Sequence, residues 1–495
     1  MKQGYPQEGI ARRHLLQGGA SILAAAALAP QAVAAPASPG APEIGSVMAR
    51  LSTYMAEAAA KPLPAAVIEK TKQHILDTLG AMVSGADLAP GKFAVNFAKI
   101  YKGEPVATVA ASNLVVGPIE AALVNGMLAH ADETDDTHPL SLSHPGAAVV
   151  PAALAMGERF GSDGERFVRA VALGYDIGPR FTATLGRQQY MADTSRSTHS
   201  LAGTFGAAAA AGCCAGLNAQ QMRWLLSYAA QQGSGIATWQ RDTDHIEKAF
   251  DFAGMPARNG VTAALLVQAG GTGVDDVLSG ADNFFAAFKP IHNPAMVTEA
   301  LGERYEVMRT DIKKWSVGSP VQAPLDALDN LIKRHRFDGN AVQKVIVRVG
   351  AHEASVVDAR ELPDISLQHL LGVMLVDGTV TFKSTHDVAR MRDPAVLRQR
   401  AKISLVGDAE LEKLLPRRVA VVEVTLTDGG VLSERVDTVR GTTGNPMTRE
   451  EIIAKSRDLM VPVLGAAKFE QLTAKIFALE TLRNVVELRP LLQRI

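Results

Sequence analysis

Residues Pro64–Gly85, PAAVIEKTKQHILDTLGAMVSG, settle the fold class. Val67, Ile68, Thr71, Ile75, Thr78, Leu79 and Met82 recur at helical spacing, which predicts one helix from Pro64 to Ser84 with Gly85 stopping it. The same period governs the chain from Ile44 to about Ile291. Ile119, Leu123, Met127 and His130 recur at steps of four, four and three, and Pro145–Phe160 is a second, Ala-rich helix. Ser162-Asp163-Gly164-Glu165 has the form of a capping box for the next one. The run LAGTFGAAAAAGCCAG after His199 carries small residues that allow tight helix packing, and Asn218 can cap the helix of Trp224, Leu225, Leu226 and Tyr228. This half shows no strand alternation and reads as all-α.

The character changes after Pro290. Val342–Val349 (VQKVIVRV) alternates as a half-buried strand does, and Arg418–Val439 holds two strand-like runs around Asp428-Gly429-Gly430, a hairpin signal. Leu367–Val376 between them is helical, and from Thr448 the helical period returns. The expectation is a mainly α protein: a large all-helical domain built from both chain ends (44–291 and 445–495), with a smaller α+β lid domain (292–444) between.

At 495 residues the chain is too long for one ordinary core. Apolar residues make up 47% and aromatics only 5%, in keeping with Ala- and Leu-rich helices packed closely together. Fifty basic against 51 acidic residues, with no basic tail or stripe, leave nothing to attract nucleic acid. Cys213 and Cys214, the only cysteines, are adjacent and cannot hold an iron–sulfur cluster of the usual kind. At the N-terminus Arg12-Arg13 precede the apolar run ILAAAALAP and the small-residue pattern Ala32-Val33-Ala34. This resembles a twin-arginine export signal over residues 1–34, predicting a periplasmic mature protein without a permanent membrane anchor.

The densest chemistry lies in Asn125–Pro145, NGMLAHADETDDTHPLSLSHP. Pro139 and Pro145 break the run, so much of it is loop between two helices. Glu133, Thr137, His138 and His144 stand out, because imidazole titrates near neutrality and a carboxylate beside it fixes its tautomer. Asp132 and Asp135 read as surface or structural. The stretch lacks an HxxxH or HxH pair, and no metal is expected. His199 precedes a helix N-terminus, a place that favours anions. Lys248, with Arg241, His245 and Arg258 near it in sequence, and Lys313 further on, supply cations for a substrate with several carboxylates. Together these residues suggest an anion-binding, proton-transfer site.

Several segments resemble the MmgE/PrpD family: Leu76–Ala86, Ala121–Leu154, His199–Gly212, Lys248–Leu266, Gly273–Gly280 and the region from Lys313 to Asp326. The resemblance implies a homodimeric enzyme that needs no cofactor and acts on a di- or tricarboxylate, with a hydro-lyase of the 2-methylcitrate dehydratase kind as the first expectation. Epimerase or decarboxylase chemistry is the alternative, and a periplasmic carboxylate-binding protein is the alternative of another class. Thr137, His144, His199, Lys248 and Lys313 match the family's site positions. Three positions depart. Glu133 stands for an aspartate, His369 in Ser366-Leu367-Gln368-His369 for a tyrosine, and Phe252 about where many relatives have a histidine. His369 is therefore carried as a candidate acid.

Overall fold

Helix α1 spans Ala65–Gly85, with Pro64 at its N-cap. Gly85 is its last residue and not its stop. A Cβ at Gly85 would lie 2.1 Å from the Leu128 carbonyl oxygen, so the glycine serves the close approach of a neighbouring helix. This computed structural model describes residues 44–289 and 294–494. The expected export signal and the linker to Pro42 lie outside the described residues.

Beside α1 pack α2 (Pro118–Ala129), α3 (Pro145–Phe160) and α4 (Gly164–Leu185), while α5 (Thr198–Ala215) and α6 (Met255–Gln268) pack against α3 and against each other. Small residues bring α4 and α5 together: a Cβ on Gly178 would stand 2.2 Å from the Ala202 carbonyl. Asp163, not Ser162, caps α4 by accepting from the Arg166 N–H at 2.8 Å. Ser162 is already committed to the end of α3, where its N–H bonds to the Gly157 carbonyl. Asn218 caps its helix in a full capping box with Gln221, as its position predicts. One two-residue antiparallel pair, β1 (Ala107–Thr108) with β2 (Val115–Val116), interrupts the helical half. It is too short to show as alternation in sequence.

Two hydrophobic clusters organise residues 44–494. The first gathers Met48 through Ile312 and, from the far end of the chain, Met447 through Leu492. The second gathers Trp315 through Val439. It lies on a four-stranded sheet of β3 (Val342–Gly350), β4 (Ile403–Asp408), β5 (Ala420–Leu426) and β6 (Val431–Val436) in the order β4-β3-β5-β6. The β3–β4 pair is parallel and the other two are antiparallel. Val342, Val345, Val347 and Val349 of β3 face inward while Gln343 and Arg348 face out, the alternation that its sequence carries. The β5–β6 turn uses Gly429 at φ +91, where a side chain would be strained. Helices α7 (Ser319–His335) and α8 (Leu367–Asp377) belong to this part, while the short α9 (Phe382–His386) sets Phe382 against the first cluster.

The closing helices α10 (Arg449–Leu464) and α11 (Ala466–Phe477) return to the first cluster. Lys455 of α10 reaches Asp77 of α1 at 2.6 Å and the Thr134 carbonyl at 3.0 Å. Helix α10 thereby grips the loop between α2 and α3, where the functional groups lie.

Candidate active site

The loop His130–His144 begins as α2 ends and closes at the Pro145 start of α3. Asp132–Asp136 are all buried, against the solvated loop that so many charges would suggest. A buried carboxylate needs partners, and each one has them. The Asp136 carboxylate accepts from His74 Nδ1 at 2.8 Å, Tyr175 Oη at 2.5 Å and the Gly146 N–H at 3.1 Å. Its backbone carbonyl takes His144 Nδ1 at 2.6 Å. A carbonyl only accepts, so Nδ1 of His144 carries a proton, and in the neutral ring the lone pair is then on Nε2. That is the tautomer of a general base.

Asp135 is fully buried and sits at the centre of the charges, which corrects its reading as a surface residue. Its Oδ2 takes His130 Nδ1 at 2.9 Å, its Oδ1 lies 3.3 Å from His144 Nδ1, and Lys313 Nζ is 3.6 Å from that same oxygen. Burial alone would raise its pKa, but His130, His144 and Lys313 hold it well below the usual carboxylate range. Asp132 is also buried and not on the surface.

Glu133 joins the two lysines. Lys248 Nζ ion-pairs with Glu133 Oε1, and Lys313 Nζ donates to the Glu133 carbonyl at 2.7 Å. Burial pushes Glu133 up, and Lys248 and Lys313, with His245 and His130, bring it well below its ordinary value. Backbone pairing delivers Lys313. Thr137 and Asp311 exchange N–H···O bonds of 2.9 and 2.8 Å, setting the following residues beside the loop. The Thr137 hydroxyl is buried and makes no hydrogen bond to a described residue.

Aromatic rings form the opposite wall. A π-helical turn, Phe250–Gly254, inserts Phe252 between two imidazoles. Phe252 stacks on His199 with centroids 3.7 Å apart and on His130 at 4.5 Å. His144 lies 5.0 Å from His130 and 5.2 Å from His199, and His245 lies 5.3 Å from His130. Trp239 meets His199 and Phe252 edge-on. Burial, followed by the charges of neighbouring groups, lowers His199 well below the usual histidine value. Burial first and Lys248 second bring His245 down to about 3. Burial also lowers His130, although Asp135 opposes it. Neutral imidazoles facing two lysines make a site whose fixed positive charge can receive an anion. Nε2 of His130 and His245 and Nδ1 of His199 are buried without a hydrogen-bond partner among the described residues, leaving donors and acceptors for a bound molecule.

The structure thus brings together Glu133, His144, His199, Lys248 and Lys313, with Thr137 in the same loop. It does not bring in the other four candidates. His138 uses Nδ1 with Ser141 and Nε2 with Glu306 at 3.1 Å, pinning its own turn. Arg241 is exposed on a 3-10 turn. Arg258 donates to Asn259 and lies over Phe250. His369 is buried on α8, both ring nitrogens lack partners, and burial beside Arg400 and Arg390 lowers it to about 4. Sequence reasoning passed over His130, Asp135, Trp239 and Phe252 as working parts of the wall. A signal was present for the first pair, a histidine ending an apolar stripe with a carboxylate five residues on.

Ligand atoms of His130, Asp135 and His144 lie within 4.8 Å of one another, close enough for a divalent cation. Lys313 already supplies positive charge to that carboxylate.

The short helix α9 contributes at the rim. His386 Nε2 on α9 lies 2.9 Å from Asp132 Oδ2. Burial would lower His386, but Asp132 and then Asp364 raise it from 6.5 to about 9. A raised histidine stabilises the fold fully below about pH 6.5, and that contribution is lost as pH rises through about 9. A shift of this size corresponds to roughly 3 kcal/mol. Urea unfolding should therefore show stability declining from pH 6.5 to 9, and His386→Asn should flatten the decline. An equally steep decline in the variant would remove this pair as its cause.

Residues 49–296 match the MmgE/PrpD N-terminal domain and residues 315–479 the MmgE/PrpD C-terminal domain. The cis-aconitate decarboxylase-like protein oryM of Aspergillus oryzae (strain ATCC 42149 / RIB 40) is 26% identical, over 90% of this chain and 97% of that protein. The cis-aconitate decarboxylase of Homo sapiens is 26% identical, over 86% of this chain and 90% of its own length. That of Mus musculus is 25% identical, over 86% and 89%. With both domains matched in order across most of its length, the chain belongs to the MmgE/PrpD family.

Proposed function

We propose that this protein is a cofactor-independent lyase that moves a proton at a carbon next to a carboxylate of a di- or tricarboxylate. The observation that carries this reading is the meeting of neutral, buried imidazoles with Lys248 and Lys313 around Glu133. Carbon acids of this type are weak. They need a base and a fixed positive field where negative charge develops, and that field acts strongly where water is excluded. His144, with its proton held on Nδ1 by the Asp136 carbonyl, offers Nε2 as the base. His199, close to His144 and desolvated by Phe252, is the second proton carrier. Lys248 and Lys313 bind substrate carboxylate and stabilise the dianion. Thr137 and Glu133 orient substrate and lysines.

Two bond-breaking outcomes follow from this arrangement. In decarboxylation the C–C bond to a carboxylate breaks, CO₂ leaves, and the electron pair left on carbon takes a proton that a histidine relays from water. The names of the relatives support that reaction as the first to test. In a hydro-lyase reaction one imidazole removes the C–H proton while another protonates the departing hydroxyl, giving an alkene and water. The closely spaced histidines support that second reading. Export by a twin-arginine signal and assembly as a homodimer belong to the same proposal. Mass spectrometry of the exported N-terminus and analytical ultracentrifugation measure them.

Incubation with citrate-type hydroxy-acids and with unsaturated tricarboxylates in D₂O, followed by proton and carbon NMR, tests the reading. Deuterium at carbon with loss of CO₂ or water is expected. Deuterium without loss would point to an epimerase. Tight binding with no exchange would replace the lyase by a carboxylate-binding protein.

A further inference from the structure

His199 is flanked by two serines that end on one carboxylate. Ser197 is the N-cap of α5, and its Oγ donates to Asp251 Oδ2 at 2.6 Å. Ser200 Oγ donates to Asp251 Oδ1 at 2.8 Å. The Ser200 N–H also reaches Ser197 Oγ at 3.3 Å, so the first turn of α5 is closed on itself and on Asp251. Asp251 belongs to the π-helical turn Phe250–Gly254, and the next residue in that turn, Phe252, lies flat on the His199 ring. One widened turn therefore holds His199 twice, through the backbone that carries it and through its face.

The packing around this clamp is tight. Gly235 has φ +96, and its carbonyl accepts from the Ser197 N–H at 3.1 Å. A Cβ on Gly235 would stand 2.0 Å from Ser200 Oγ and 2.6 Å from Asp251 Oδ1. Asp251 is buried, as are Ser197 and Ser200. It touches none of the groups that would meet substrate, so its effect passes through His199.

We propose that Asp251 is a positioning residue that fixes the register of the π turn against α5 and thereby keeps His199 stacked on Phe252 and closed to water. The proposal rests on the reading of His199 as a proton carrier. With an amide in place of the carboxylate, only one serine keeps its acceptor, the Phe252–His199 stack loosens, and water reaches the imidazole. Burial is the first cause of the low His199 value, ahead of the facing charges of His144, His130 and Lys248 and against that of Asp135, so loosening moves that value back toward the ordinary histidine range.

The experiment follows the imidazole ¹⁵N shifts of His199 through a pH titration of the full-length protein, in wild type, Asp251→Asn and Ser200→Ala. The titration of His199 should move upward by at least one pH unit in both variants. If turnover has been found, kcat should fall about 10- to 100-fold with KM changed less than about threefold, and the acidic limb of the kcat–pH profile should move up with the NMR titration. Gly235→Ala should reproduce the same shifts by wedging the pair apart. Unmoved His199 titration in the folded variants would overturn the proposal, whatever their stability. Should Asp251→Asn fail to fold, Ser200→Ala and Gly235→Ala decide by the same titration. Because the NMR readout does not use turnover, a shifted His199 in a protein with no lyase activity would keep the positioning role while the lyase reading fell.

Discussion

Replacing His144 by asparagine should lower kcat by about 10²–10⁴ while changing stability by less than about 1 kcal/mol. Asparagine can still donate an N–H to the Asp136 carbonyl, so the 2.6 Å contact that closes the loop onto α3 survives. What disappears is the ring nitrogen on the far side, the proposed base. The side chain is 9% exposed, so its loss opens no sealed core cavity. Kinetics on the substrate found in the D₂O screen, paired with thermal unfolding, measure the two effects separately. Turnover within tenfold of wild type would take the base away from His144 and leave His199 to be tested next.

Lys455→Met is expected to do the reverse, costing about 3–5 kcal/mol of stability. Lys455 and Asp77 are both buried, at 5% and 0% side-chain exposure, and pair at 2.6 Å. Methionine fills similar volume but leaves Asp77 without its cation. Burial already raises Asp77 from 3.8 to about 6 against the opposing pull of Lys455, and without the lysine it rises further. An acid with a raised folded pKa penalises the fold at high pH, where it must ionise, and the penalty shrinks on acidification. The defect should therefore be largest near neutrality and smaller toward pH 5. Lys455→Met with Asp77→Asn should recover much of the loss, since it removes both charges. Chemical denaturation of the four proteins of this cycle measures it. A full defect persisting in the double variant would show that packing, not charge, is at fault. The Thr134 carbonyl, also bonded by Lys455, makes some loss of activity an expected companion.

Periodicity is a local property, and what it decides was readable in one dimension. The helix of Pro64–Ser84, the alternation of Val342–Val349 and the turn at Asp428-Gly429-Gly430 each depend on residues within a few positions, and each has its counterpart in the structure. The limits of local reading show at the ends. Gly85 looked like a stop and is a contact point for Leu128, and Ser162 looked like a cap while its N–H was already used by α3. The strand Ile403–Asp408 carries too little alternation to declare itself, and pairing with β3 makes it one.

Residue type alone showed that a site rich in imidazole, carboxylate and lysine was to be expected, and the family resemblance picked Glu133, Thr137, His144, His199, Lys248 and Lys313 out of it. Burial and direction belonged to the tertiary structure. Asp135 and His138 stand three residues apart in one polar loop, yet the first lies between His130, His144 and Lys313 while the second faces Glu306. No spacing rule separates them, because the separation depends on where the backbone pairing of Thr137 with Asp311 turns the chain. Lys248 and Glu133 are 115 residues apart, and Lys313 and Glu133 are 180 apart. Sequence by itself determined the helical class, the strand-bearing insert and the kinds of group available for chemistry, since these follow from local sterics and hydrophobic period. Which groups meet, and which imidazoles are stripped of water and so kept neutral, was decided only when distant segments packed together, because desolvation and Coulomb forces depend on distances in space that chain separation does not encode.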